Sequence, residues 1–209
     1  MIMRKSVSVL ILLAFMVSLS GCYDNTWSFS FLGIQPEDLV GFSKEPSDSS
    51  TKPILSARGL ELDGIALLAP EMFTSDLKYT VEFDLEVDET YTADISAGLV
   101  SERSFEPKDY VIFNGKNLGN ELSYEFWANE GGDYGYANKV ANTPRIYKMG
   151  SNKIEIVRKG DVYTGRLNGS LIWEIDTEFC EAPAFIPTIF ASEKGGRVYF
   201  TGMKVEYDL

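Results

Sequence analysis

The clearest pattern of apolar and polar positions in the chain runs through residues 153–176. Ile154 and Ile156 alternate with charged residues, which is the period of a strand with one buried face. Gly160-Asp161 and Asn168-Gly169 then interrupt the pattern, and residues of these types accept the positive φ of a two-residue hairpin. The segment therefore predicts three antiparallel strands in a meander.

Similar alternation predicts short strands along most of the remaining chain. The most regular strand covers residues 80–87. In the last strand the apolar residues switch from even to odd positions at Gly202, which predicts a β-bulge there. Further strands are predicted at residues 27–31, 60–62 and 65–67 (a hairpin around Asp63-Gly64), 95–100, 110–113 (ended by a turn at Asn114-Gly115), 122–127, 186–191 and 197–207. Residues 33–53 have little to bury and are expected to form an exposed loop. With no amphipathic helix after residue 21, the pattern predicts an all-β, two-sheet antiparallel jelly-roll sandwich over residues 26–209.

The N-terminus carries the sharpest targeting signal. Arg4-Lys5 precedes an apolar run over residues 7–19, which as a helix spans only about 20 Å, short of the ~30 Å hydrocarbon core. Such a segment is typical of a signal peptide. It ends in Leu19-Ser20-Gly21-Cys22, which resembles the lipobox of bacterial lipoproteins. The resemblance implies a signal peptide at residues 1–21, a diacylglycerol on the sulfur of Cys22 and a lipidated tether at residues 22–25.

That resemblance also implies a location. The protein is expected in the bacterial cell envelope, outside the cytoplasm and bound to a membrane through Cys22. Tyr23 rather than Asp follows the cysteine, which resembles the sorting context for the outer membrane if the bacterium is Gram-negative. An ordinary secretory signal with an incidental cysteine is the alternative.

Composition narrows the classes of function. The formal net charge of −12 disfavours nucleic acid as a partner and suits neutral or cationic ligands, or Ca²⁺. The absence of histidine excludes histidine triads and imidazole zinc sites. With Cys22 acylated, Cys180 has no partner within the chain and is expected to pack as a small apolar residue, a reactive thiol being the alternative.

Three stretches together resemble the concanavalin A-like lectin/glucanase superfamily, which includes laminin G-like domains. They are GLELDGIALLAPEMFTSDLKYTVEFDLEV, KIEIVRKGDVYTGRLNGSLIWEI and IPTIFASEKGGRVYFTGMKVEYD, and they span most of residues 59–208. The resemblance implies the jelly-roll sandwich and a link to glycans. It does not choose among lectins, hydrolases, lyases and adhesive modules.

An enzyme of this superfamily would need acidic residues at defined spacing. Its family-16-type glucanases carry an E-x-D-x-E strand, and this chain matches that string at Glu82, Asp84 and Glu86 and again at residues 174–178. Alternation sets the three carboxylates of the first match on one face, where the outer two would serve as nucleophile and acid/base. The alternative, favoured here, is the solvated face of a half-buried strand.

A binding site is predicted on the strand at residues 122–127 and the segment that follows it. Alternation sets Glu125 and Trp127 on the face opposite Tyr124 and Phe126, and an indole beside a carboxylate suits a sugar ring. The next residues, 128–150, are expected to form a long loop, and long loops are often functional. The candidate ligand-binding residues of the loop are Tyr134, Tyr136, Asn138 and Arg145.

Taken together, these patterns predict an envelope lipoprotein that binds a glycan or polysaccharide without cleaving it. A carbohydrate-active enzyme using acidic residues and a structural envelope protein with a protein partner are the alternatives. No catalytic or metal-ligating residue is assigned to the main hypothesis and no cofactor is expected. The resemblance keeps Ca²⁺ possible, because members of the superfamily often bind it through Asp and Asn oxygens, but no loop of defined ligand spacing occurs in this sequence.

Overall fold

The computed structural model describes residues 25–46, 50–103, 110–116, 121–128, 134–142, 147–176 and 184–209, with backbone placement alone at 87–93, 115–116, 121–128, 134–142 and 193–196. Within these ranges the chain forms strands and one short 3₁₀ helix at Pro36–Leu39, with no α-helix. The strands are β1 Thr26–Ser30, β2 Ser43–Glu45, β3 Ile54–Ser56, β4 Gly59–Glu61, β5 Ile65–Leu68, β6 Leu77–Val100, β7 Tyr110–Lys116, β8 Glu121–Ala128, β9 Tyr134–Asn142, β10 Gly150–Lys159, β11 Val162–Leu167, β12 Ser170–Asp176 and β13 Ile186–Tyr207.

Two antiparallel sheets share a central ribbon made of β6 and β13. These strands pair along nearly their whole length, from Leu77 opposite Tyr207 to Val100 opposite Ile186. The first half of β6 lies in the front sheet, of order β12-β11-β10-β6-β13-β1, with β4 and β3 on the same edge as β1. The second half lies in the back sheet, of order β9-β8-β7-β6-β13-β5-β2. The all-β jelly-roll architecture predicted from the sequence is confirmed.

The two sheets face each other across one apolar core. The buried Tyr79 hydroxyl of the front sheet donates to the Thr188 carbonyl of the back sheet at 3.0 Å. The rings of Phe113 and Trp173 also meet between the sheets, with centroids 6.3 Å apart. The main cluster holds large side chains from both sheets that are 0% exposed, including Phe83, Phe113, Tyr163 and Phe200.

The predicted meander is confirmed as β10, β11 and β12. Asn168 and Gly169 take φ values of 50° and 86°, which is the left-handed conformation that this two-residue turn requires. The predicted bulge at Gly202 is also confirmed, because the pairing of β13 with β6 shifts between Phe200 and Gly202. That shift lets both Phe200 and Met203 enter the core.

Three turn and strand predictions are wrong. Residues 80–87 and 95–100 are not separate strands but two parts of the 24-residue β6. Asn114-Gly115 does not end β7, because both residues pair with β6 on one side and β8 on the other. Asp63-Gly64 does not close a hairpin either. It carries the chain from β4 to β5, and these strands pair with different halves of β13.

Two segments expected as loops contain strands. Residues 134–142, within the predicted loop after Trp127, form β9 and pair with β8. Residues 33–53 include the 3₁₀ helix and β2, which pairs with β5. In both segments the strand depends on pairing with a partner strand, β8 or β5, which the local polarity of the segment does not indicate.

The sandwich has two ends. At the lower end, where β1 begins, the Tyr207 amide donates to the Asn25 carbonyl at 2.9 Å. The Gly160 amide donates to the Asp76 carboxylate there at 2.8 Å. The Asn168-Gly169 turn lies at the upper end, one six-residue strand or about 20 Å away.

Candidate functional site

The outer face of the back sheet carries the residues of β8 that the sequence singles out. Ile95, Ala97, Leu99, Val111 and Phe113 fill the core, so Ser96, Tyr110, Ile112 and Asn114 belong to the outer alternation. The register sets Trp127 opposite Tyr110 and Glu125 opposite Ile112. Glu125 and Trp127 therefore fall in the outer alternation as well.

We call Ser96, Tyr110, Asn114, Glu125 and Trp127 the outer strip. Within the strip, the Ser96 hydroxyl donates a hydrogen bond to the Asn114 side-chain oxygen at 3.1 Å. Tyr110 is half-buried beside a small apolar cluster on the same face. The strip thus combines an amide and a hydroxyl with two aromatic positions and one acidic position along neighbouring strands.

The three predicted ligand-binding residues on β9 do not share this face. In the register of β9, Tyr136 lies opposite Phe126, Asn138 opposite Tyr124 and Tyr134 opposite Ala128. These three positions share the alternation of the core side of the sheet. Arg145, Cys22 and Cys180 lie outside the described residues.

A second candidate surface lies on the outer face of the front sheet, around the acidic positions of β6. Glu82 and Glu86 are exposed and Asp84 is half-buried, whereas Val81, Phe83 and Leu85 between them enter the core. The carboxylates therefore share one outward face in the middle of the sheet.

Glu86 is engaged by an arginine that no sequence pattern indicated. The Arg58 guanidinium lies 2.6 Å from the Glu86 carboxylate and 4.1 Å from the centroid of the Tyr199 ring. Tyr199 is only 3% exposed as a result, and its hydroxyl lies 3.5 Å from Glu86. The hydrogen bond to Glu86 raises the pKa of Arg58, and a hydrogen bond to Tyr199 raises the pKa of Arg197. Both guanidinium groups stay charged.

Below this cluster, charged pairs continue down the front face. Glu155 forms ion pairs with Lys78 at 3.2 Å and with Lys153 at 3.3 Å. Glu206 forms ion pairs with Lys78 at 3.3 Å and with Lys204 at 2.7 Å. The hydrogen bond from Lys204 lowers the pKa of Glu206. Burial opposes the charge on Lys78, but its hydrogen bonds to Glu155 and Glu206 outweigh burial and raise the pKa of the ammonium group.

An open groove of about 680 Å³ runs beside β3. Its lining is mainly apolar, with Ile34, Leu39 and Leu55 among the contributors and Lys52 on its rim. Among the described residues no group of three acidic or cysteine side chains could hold a metal ion. In the same part of the chain, no helix has the length and apolarity needed to cross a bilayer.

Comparison with known proteins gives the fold. No protein-family model and no curated protein sequence matches the chain. Among solved structures, the carbohydrate recognition domain of Emp46p in its metal-free form is similar with a TM-score of 0.65, at 9% identity over 86% of this chain and 95% of that one. The Bacillus licheniformis β-glucanase has a TM-score of 0.56, at 9% identity over 86% and 97% of the two chains.

A third similar structure is the carbohydrate-binding module CBM66 from Bacillus subtilis. Its TM-score is 0.53, at 13% identity over 77% of this chain and 92% of that one. At such low identity the likeness concerns architecture alone. The chain therefore has the jelly-roll sandwich of the concanavalin A-like lectins and glucanases.

Proposed function

We propose that the protein is a lipid-anchored envelope protein that binds a glycan on the outer strip of its back sheet without cleaving it. The observation that supports this most directly is the register of β7 with β8, which groups Glu125 and Trp127 with Tyr110 and Asn114. The fold adds support, since structures with this architecture include a carbohydrate recognition domain and a carbohydrate-binding module.

The strip has the chemistry that a sugar ring needs. Aromatic side chains such as Trp127 and Tyr110 offer apolar faces for the C–H groups of a pyranose. Carboxylate and amide groups such as those of Glu125 and Asn114 accept or donate hydrogen bonds to hydroxyls. The net charge of −12 favours a neutral or cationic saccharide over an anionic one.

A polysaccharide screen that scores retention and reducing-end release together tests the proposal. We expect retention without release, and Trp127→Ala is expected to abolish retention. Leu171→Ala is the matched control, because Leu171 is an apolar side chain 50% exposed on β12, away from the strip. Unchanged retention by Trp127→Ala would contradict binding at the strip. A protein that shows neither retention nor release would favour the structural alternative with a protein partner.

A second candidate function is a glycoside hydrolase that uses Glu82, Asp84 and Glu86. It is favoured by the alternation that sets these carboxylates on one outward face. It is opposed by the ion pair between Glu86 and Arg58, since a retaining enzyme needs two free carboxyl groups about 5–5.5 Å apart in a cleft. Release of reducing ends that disappears in both Glu82→Gln and Glu86→Gln would establish the hydrolase.

The membrane anchor and a metal requirement are tested separately. We expect the Cys22→Ala variant to be lost from the membrane fraction, because its sulfur would carry the lipid. A variant that stays membrane-bound would contradict the anchor. Retention on the polysaccharide is compared with and without a Ca²⁺ chelator, and a chelator-sensitive result would add Ca²⁺ as a ligand.

A further inference from the structure

The attachment point of the proposed anchor limits how the sandwich can stand on a membrane. Only two residues lie between Cys22 and Asn25, and three residue steps span at most about 10 Å. Asn25 is held at the lower end by its hydrogen bond from Tyr207. With Cys22 acylated, the lower end is the part of the sandwich nearest the lipid.

The lower end also exposes apolar side chains. Val40 is 81% exposed and precedes Gly41, which packs closely against Pro70. Met72, near Pro70 in the chain, is 50% exposed, and Leu209 is 55% exposed. These three side chains gain by leaving water for the interfacial region of a bilayer.

A rigid aromatic base supports these side chains. The Phe73 ring lies 6.2 Å from Trp27 and 5.5 Å from Tyr207, and Trp27 lies 6.4 Å from Phe42. Phe73 is also fixed by reciprocal backbone hydrogen bonds with Phe185 at 2.8 and 2.9 Å. The backbone next to the exposed apolar side chains is therefore anchored to the core, since Phe73 follows Met72, and Phe42 and Tyr207 lie two residues from Val40 and Leu209.

Charge at this end selects the kind of lipid. The acidic residues there are Glu71, Asp76, Glu102, Asp161 and Asp208, and the basic residues are Arg103, Arg158 and Lys159. This excess of negative charge repels anionic headgroups. A zwitterionic surface carries no such penalty.

We propose that the lower end is a membrane-contact surface, in which Val40, Met72 and Leu209 enter the interface of a zwitterionic bilayer while the strands stand away from it. The inference rests on the proposed lipidation of Cys22. It sets the Asn168-Gly169 turn about 20 Å farther from the lipid than the Gly160-Asp161 turn.

The experiment uses the full lipidated protein in phosphatidylcholine vesicles that contain a nitroxide on the lipid headgroup. In a Cys180→Ser background, a fluorescent probe is attached in Met72→Cys or in Leu171→Cys. The two sites are matched, since Met72 and Leu171 are each 50% exposed, but Leu171 lies beside the upper turn. We expect strong quenching of the probe in Met72→Cys and only background quenching in Leu171→Cys.

Equal or reversed quenching in protein that still floats with the vesicles would overturn the contact surface and leave the anchor intact. Protein that fails to float would overturn the anchor and, with it, this inference. Exchange of part of the phosphatidylcholine for phosphatidylglycerol is expected to weaken quenching in Met72→Cys. Unchanged quenching would refute the preference for zwitterionic lipid.

Discussion

Replacing Gly165 with alanine should damage the core at one identifiable contact. Gly165 on β11 lies directly opposite Trp173 on β12, and the indole ring occupies the space that a Cβ at position 165 would need. Trp173 is 4% exposed and reaches across the core to Phe113. An alanine therefore forces either the indole or the two strands to move.

Two limits bound the size of the effect. Overpacking of a well-packed core costs about 1–3 kcal/mol. Complete displacement of the indole loses about what Trp→Ala loses in a core, roughly 3–5 kcal/mol. Alanine also lowers the conformational entropy of the unfolded chain, which offsets about 0.4–1 kcal/mol of the lost stability. The difference between these values leads us to expect that Gly165→Ala lowers the free energy of unfolding by about 1–4 kcal/mol.

Urea unfolding, followed by far-ultraviolet circular dichroism, measures this change, with an unchanged m-value as the check on two-state behaviour. Gly202→Ala is the matched control, because the nearest atom to its Cβ position is the Phe29 carbonyl oxygen at an ordinary 3.5 Å. It should stay within about 0.5 kcal/mol of the wild type. In a Trp173→Leu background the cost of Gly165→Ala should fall sharply. A Gly165→Ala variant as stable as Gly202→Ala would refute the contact.

Three further changes test other parts of the structure. Asn152→Leu should cost about 2 kcal/mol in urea unfolding, because the 1% exposed amide bonds the Lys148 backbone, the Gly150 carbonyl and the side chain of Asn168; a neutral effect would show that this network adds no stability. Glu206→Gln should cost about 0.5 kcal/mol at neutral pH, the scale of an exposed ion pair. Because its pKa is lowered in the folded protein from the ordinary 4.5, that difference is complete above about pH 4.5 and fades as the pH falls further, so a pH-independent difference in thermal unfolding would contradict it. Tyr79→Phe should cost about 1 kcal/mol, since it removes the hydroxyl that donates between the sheets, and an unchanged urea midpoint would argue against that bond.

Local patterns predicted the elements that depend on neighbouring residues. The alternation of residues 80–86 indicated which side chains of β6 enter the core, because a period of two assigns every position to a face. The parity change around Gly202 indicated the bulge for the same reason. The meander followed from alternation together with two turn dipeptides.

Features that depend on distant pairing could not be predicted in this way. Asn168-Gly169 turns the chain while Asn114-Gly115 stays extended, although the residue types are the same. An Asn-Gly pair permits a turn, and strands available on both sides of β7 decide against it. Arg58 lies in the turn between β3 and β4 and stacks on Tyr199 of β13, far away in the sequence, so no local spacing indicates this contact. Of the candidate site, Glu125 and Trp127 could be grouped by alternation. The face on which each β9 residue lies could be assigned only from the register of β9 with β8.

The shared ribbon of β6 and β13 also governs when the protein can fold. Among the described residues β13 is the strand that comes latest in the sequence, and it supplies a central strand to both sheets. A chain synthesised from its N-terminus has neither sheet complete until Tyr207 has emerged, and its closing contacts join residues far apart in sequence, which slows folding. Folding is thus coupled to the synthesis of β13. A truncation before Ile186 would leave both sheets divided rather than remove one layer.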